Sequence, residues 1–280
     1  MYSGFQVSIG ANPAPGALPE IDFGAYQALG QEHLKGQAAT VQHDLHDFLL
    51  EGTTLYDGTA MEESWFPQVK ADVFISHSHK DLSLAEGLAG WLHTTFGLTC
   101  FIDSNVWGYS DALLREINQA YAHPTHIAGR EGCVYDYDCC IAASKHVDTM
   151  LTIALHKMID RCESVFLLNT DNSVRRYGEQ PHDTTSSPWI YSEIVCSQIV
   201  RPRKLSDFRP TYIEHRADGK TLFAMDEGFG ALYSITLDHL LPLDLQMLER
   251  WDAEHLRKGS RYALDDLYPL FPDVQRKLRG

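Results

Sequence analysis

The sequence predicts an α/β protein built on a doubly wound parallel sheet. Two short apolar runs, Asp72-Val73-Phe74-Ile75-Ser76 and Thr99-Cys100-Phe101-Ile102, flank a segment of helical period. A third run, Ser164-Val165-Phe166-Leu167-Leu168, is followed by a helical segment from Pro188 to Ile199. Each run ends in polar residues, the pattern of buried parallel strands whose carboxyl ends carry a site.

Taken in order, residues 1–25 hold Pro13, Pro15, Pro19 and four glycines and read as an irregular leader. Residues 26–50 place Leu29, Leu34, Val41, Leu45, Phe48 and Leu49 near helical spacing, which predicts one packing helix. Glu51 to Pro67 reads as a loop. After the strand at 72–76, Asp81 is a candidate N-cap for a helix to Phe96, with Leu82, Leu84, Leu88 and Leu92 as its apolar positions. The strand at 99–102 follows after a short connection, which makes a strand–helix–strand unit.

Asp111 to Tyr121 predicts a short helix. Residues 122–143 have no clear period and read as an insertion. Ser144 to Arg161 predicts a helix with Val147, Met150, Leu151, Ala154, Leu155 and Met158 on one face. Ser187 is a candidate cap for the helix at 188–199, with Pro188 in its first turn. Beyond it, Thr211 to His215 and Thr221 to Met225 flank Asp218-Gly219 and suggest a hairpin. Leu232 to Leu237 suggests a further strand. Leu245 to Lys258 and Leu264 to Leu270 read as closing helices.

Composition narrows the function classes. With 280 residues the chain suits one large domain or a medium one with extensions. A net charge of −15 excludes a general nucleic-acid or membrane-surface binder, which needs a basic field. The one basic cluster, Arg201-Pro202-Arg203-Lys204, could hold a phosphate but reads first as a solvated turn after a helix. No apolar run approaches the ~20 residues that span a bilayer, and Met1 to Gly16 lacks the form of a signal peptide. A cytoplasmic location is therefore expected. Six cysteines without a CxxC pair then read as reduced thiols. Cys133, Cys139, Cys140 and His146 depart from standard zinc spacing, and His77 with His79 lacks a third ligand, so no metal is expected.

The polar clusters carry the candidate chemistry. They are Ser76-His77-Ser78-His79-Lys80-Asp81, Asp103-Ser104-Asn105 and Asn169-Thr170-Asp171-Asn172. Trp189 and Glu193, four residues apart, share a face of the helix that follows. Val73-Phe74-Ile75-Ser76-His77-Ser78, with Lys80-Asp81 opening a helix, resembles the first-strand motif of TIR domains. Ser164 to Asn169 resembles the strand before that family's catalytic helix. Ser187-Pro188-Trp189-Ile190-Tyr191-Ser192-Glu193 resembles its tryptophan-to-glutamate motif.

The resemblance covers about half the chain, near residues 72–200, and implies a flavodoxin-like fold. It divides the chain into an N-terminal extension at 1–70, a TIR domain at 71–240 with an insertion near 119–143, and a C-terminal helical extension at 241–280. It also implies cleavage of NAD at the nicotinamide–ribose bond, with Glu193 as the catalytic residue and NAD as substrate rather than cofactor. Ser76, His77, Ser78, Asp103, Trp107 and Trp189 are then the substrate-binding candidates. Asp103 could instead cap a turn, and Trp189 and Trp107 could be packing residues. The family's loop after the second strand, here replaced or lengthened by 103–143, implies homo-oligomers through TIR–TIR contacts. Stand-alone prokaryotic members, as in defence systems of the Thoeris kind, imply antiviral signalling and a separate effector protein that responds to the product.

The chemistry of the residues agrees with that expectation. Nicotinamide in NAD is already a cationic leaving group and needs no proton to depart. One carboxylate can stabilise the oxocarbenium-like charge left on the ribose. Two other readings stay open: a non-catalytic TIR scaffold that works by homotypic assembly, and an enzyme like the nucleoside deoxyribosyltransferases with a glutamate nucleophile.

Overall fold

A computed structural model describes residues 1–9, 21–36, 45–106, 110–126, 133–176, 183–209 and 233–271. The fold is α/β and flavodoxin-like, with a five-stranded parallel sheet between layers of helices. The strands are β1 (Ser3–Ser8), β2 (Val73–Ser76), β3 (Cys100–Phe101), β4 (Ser164–Leu168) and β5 (Leu241–Asp244). Their order is β3-β2-β4-β1-β5, and every pairing is parallel. The helices that matter here are α1 (Phe23–Lys35), α2 (Gly58–Trp65), α3 (Leu82–Phe96), α4 (Ser110–Tyr121), α5 (Tyr137–Arg161), α6 (Pro188–Ile199) and α7 (Leu245–Lys258).

The two faces of the sheet follow from the two-residue period of a strand. Val73 and Ile75 join Phe5, Val7, Phe166 and Leu168 in a core covered by α1, α3 and α7. Phe74 joins Phe101 and Val165 in a second core beneath α2, α4 and α5. Ser76 has the parity of Phe74, so its side chain emerges on that second face. A third cluster, containing Leu167, Ile190 and Ile194, seats α6 beside it.

Several sequence expectations need correction. Residues 3–8 are no irregular leader: β1 lies inside the sheet, between β4 and β5. Phe5 and Val7 are fully buried there. The segment at 241–244 is a strand, not the start of a helical extension. It carries Pro242 at the sheet edge, where a missing N–H leaves no ladder bond unmade. The segments at 3–8 and 241–244 thus complete the sheet instead of flanking it.

The expected helix at 26–50 is α1, then a 3₁₀ turn at Leu45–Phe48; positions 37–44 lie outside the described residues. Leu29, placed on the apolar face by sequence, is exposed. Within the expected loop at 51–67 stands α2, capped by Asp57, whose carboxylate accepts from the Thr59 and Ala60 amides. Helix α5 begins at Tyr137, inside the expected insertion, because Asp136 caps it by accepting from the Cys139 amide. Tyr233–Ser234 pairs antiparallel with Thr184–Thr185 as a two-residue strand. The hairpin expected at 211–225 lies outside the described residues.

The remaining elements fall where expected: β2, β3, β4, α3, α4, α6, α7 and the short helical segment ending at Leu270. All six cysteines are free thiols. The described residues contain no helix long and apolar enough to cross a membrane.

Candidate functional site

The chain runs from β2 to β3 on one side of β2, then returns to β4 on the other. The sheet therefore has its topological switch between β2 and β4, where a parallel sheet opens a crevice at its carboxyl ends. Ser76 closes β2, and it faces Leu167 of β4 in register.

Helix α6 brings Glu193 to this crevice. Ser187 caps the helix by accepting from the Ile190 amide, and Pro188 fills the first turn, where no backbone N–H is needed. Its buried residues include Ile190, Glu193, Ile194 and Ser197, a stripe at spacings of three, four and seven. Glu193 is thus an acidic residue in an otherwise sheet-facing stripe, and it is only 3% exposed. The Ser76 hydroxyl donates to Glu193 Oε2 at 2.5 Å. Burial pushes the Glu193 carboxyl well above the usual carboxylate range, the charge of Asp103 adds to the rise, and the Ser76 hydrogen bond opposes it.

His77 lies next along the chain and is also buried. Its Nε2 stands 3.4 Å from Ser104 Oγ, and its Nδ1 stands 4.0 Å from Asp103 Oδ1. Burial lowers the imidazole pKa first of all, and Asp103 partly restores it. Asp103 therefore acts on both neighbours: its charge disfavours a second charge on Glu193 and favours one on His77. Ser78 is half-buried and begins the turn into α3, its carbonyl accepting from the Asp81 amide at 2.8 Å.

Of the predicted residues, the structure joins Ser76 to Glu193 directly and brings His77 and Asp103 into one electrostatic cluster with them. Trp189 is half-buried and packs on the apolar cluster of Phe74, Phe101 and α5. Trp107 and Tyr109 lie outside the described residues. The expected cap at Asp81 is not made. Its carboxylate instead accepts from Thr170 Oγ1 and, at 2.7 Å, from Asn172 Nδ2. That clamp ties the loop after β4 to the start of α3 across the crevice.

Sequence reasoning named Ser104 only within its polar cluster and did not single out Arg175 and Arg176. The two arginines help line a polar cavity of about 400 Å³ with Asn169, Asp171, Val174 and Asp183, just past β4. The local signal was the polar run after Leu168; the arginines lie farther along the same loop. Among the described residues no group of three or more His, Cys, Asp or Glu side chains is arranged to hold a metal. The Arg201–Lys204 stretch is exposed, with Arg203 paired to Asp160.

Chemically the arrangement offers a buried acid held by a hydroxyl, with a second carboxylate near enough to influence it. Burial and the Asp103 charge favour the neutral acid. A cationic group bound there favours the carboxylate, because the new charge stabilises the ionised form. Comparisons with models of protein families, with curated proteins and with solved structures found no match.

Proposed function

We propose that the protein is a TIR-type enzyme that cleaves the nicotinamide–ribose bond of NAD, with Glu193 as the catalytic carboxylate. The observation that carries this reading is the buried Ser76–Glu193 contact at the carboxyl end of the parallel sheet. It unites two motifs that are 117 positions apart in the sequence. The cationic nicotinamide riboside unit would draw Glu193 into its ionised form on binding. The carboxylate then faces the positive charge that grows on the ribose as neutral nicotinamide leaves. Ser76 holds the carboxylate in place. Asp103 and His77 set the local field, and in this reading Asp103 binds a ribose hydroxyl.

The test is incubation of the purified protein with NAD, and separately with deoxynucleosides, followed by chromatographic analysis of products. Release of nicotinamide by the wild type and its loss in Glu193→Gln is the expected outcome. Base release from deoxynucleosides alone would replace this reading with the deoxyribosyltransferase-like one.

Activity is proposed to depend on homotypic assembly through the region after β3. Turnover per subunit is then expected to rise with protein concentration, as measured across the range where sedimentation shows monomers giving way to oligomers. Equal turnover by a dilute monomer would remove assembly from the mechanism. A cytoplasmic role in antiviral signalling, with a separate effector reading the product, completes the proposal and suits the free thiols.

A further inference from the structure

A second concave site lies away from Glu193, between α2, α4, the first turns of α5 and the turn at 45–56. Its volume is about 520 Å³, within the ~300–1,000 Å³ range of small-molecule sites. Leu50, Leu55, Met61, Ile117, Ala142 and Met150 supply much of its wall. Among the described residues no Asp, Glu, Lys or Arg lines it, although 22% of the chain is charged. A charged ligand would therefore meet no counter-charge there and would lose its hydration without compensation.

The wall is held open by its own hydrogen bonds. Leu49 and Tyr56 form an antiparallel bridge, the Leu50 amide donates to the Leu55 carbonyl at 2.9 Å, and the Asp57 amide donates to the Phe48 carbonyl at 2.8 Å. The turn is thereby fixed with Leu50 44% and Leu55 66% exposed. Apolar side chains held out beside a hollow, and not folded into it, mark a place where something apolar is to be buried. The polar atoms in the lining are uncharged or weakly basic. The Tyr56 and Tyr121 hydroxyls hydrogen-bond each other, and His146 stands exposed on α5.

We propose that this hollow binds a neutral, largely apolar small molecule that carries at most one or two uncharged hydrogen-bonding groups. The hydroxyl pair of Tyr56 and Tyr121 orients such a group, and the leucines and methionines cover the rest. The site is independent of the chemistry at Glu193. It shares α5 with that region, for the same helix bonds α6 through His156 Nε2 and Ser192 Oγ at 2.9 Å.

The test is a fluorescence titration of the full chain with N-phenyl-1-naphthylamine, a neutral aromatic probe. Saturable binding at one site per chain is expected. Anilinonaphthalene sulfonate, of similar ring size but anionic, is expected to bind at least tenfold more weakly. Ala142→Trp fills the hollow from an exposed position and is expected to weaken the neutral probe at least tenfold with an unchanged melting temperature. Leu55→Asp, at a side chain 66% exposed, gives an independent reading by placing a charge in the wall. Unsaturable binding, equal or tighter binding of the anionic probe, or full affinity in both variants would overturn the proposal. So would a wild-type dimer that Ala142→Trp converts to monomers, since the hollow would then be a contact between copies.

Discussion

A charge on Glu193 is costly to the folded chain. The carboxyl is 3% exposed; burial and then the Asp103 charge disfavour its ionised form, and the Ser76 hydroxyl donating to it opposes them. Glutamine at 193 keeps the acceptor for the Ser76 hydroxyl, keeps helix propensity, and removes any need to desolvate a charge. Glu193→Gln is therefore expected to melt at or above the wild-type temperature while NAD cleavage falls ~10²–10³-fold or more. Matched melting curves and product assays check both halves. A variant of normal stability that keeps most of its turnover would take Glu193 out of the mechanism.

His33 gives a residue-scale prediction about stability. Its ring stacks on His93 with centroids 3.9 Å apart, and its Nε2 accepts the Cys100 amide at 3.2 Å. Burial, and secondly the His93 charge, lower its pKa from 6.5 to about 4. Between those two values the unfolded chain takes up a proton that the folded chain refuses. The contribution is therefore complete above about pH 6.5 and is lost as pH falls towards 4. Carboxylates and other histidines titrate nearby, so the readout is a difference. Denaturation midpoints of His33→Gln are expected to fall less steeply than wild type between pH 6.5 and 4. Parallel curves for the two proteins would refute it.

At the scale of elements, the tightest contact is between α1 and α3. A Cβ built at Gly30 would stand 1.8 Å from the Glu86 carbonyl oxygen, and one at Gly90 would stand 2.2 Å from the Tyr26 carbonyl oxygen. The backbones touch because neither glycine has a side chain. The Gln27 and Gln31 side chains then reach Glu86 Oε2 at 3.0 and 2.8 Å. Gly30→Ala would favour an exposed helix by ~1 kcal/mol. Here it forces the helices apart, and a net loss of about 1–3 kcal/mol is expected from chemical denaturation. A stabilised variant would mean the two helices are not in backbone contact.

The same scale shows why some elements were legible and others not. The apolar runs of β2 and β4 and the face of α5 announce themselves, because burial on both sides of a strand, or along one helix stripe, writes a pattern into the sequence. β1 has only Phe5 and Val7 as large apolar residues, with Gly4 before them and Gln6 between them, so its pattern is short and half polar. Gly4 sits against Leu240, a contact separated by most of the chain. α2 was hidden because Gly58, Thr59 and the acidic Glu62 and Glu63 dilute its apolar stripe. Glu62 lies buried there against Lys157 at 2.7 Å, a partner visible only in three dimensions.

For the whole molecule, the position of β1 makes the amino-terminal segment part of the fold. It hydrogen-bonds β4 on one side and β5 on the other, so its removal leaves two unpaired strand edges and strips Phe5 from a core shared with Phe166 and Tyr268. Deletion of residues 1–9 is expected to abolish cooperative unfolding, as followed by circular dichroism. A truncated chain that still melts cooperatively within a few degrees of wild type would show the strand to be dispensable.

The sequence by itself determined the fold class, three of the five strands and the capped helix that carries Glu193. These depend on local periods and on caps such as Ser187, which neighbours in the chain specify. It also named Ser76, His77 and Asp103, because polar residues that end apolar runs lie at the carboxyl edge of a parallel sheet. Only the tertiary structure decided that β1 and β5 complete that sheet, that Asp81 clamps the loop after β4, and that Ser76 meets Glu193. Those contacts join residues far apart in the chain. Their energy comes from burial and pairing that exist only once the strands are side by side, and no local pattern encodes which distant partner will be there.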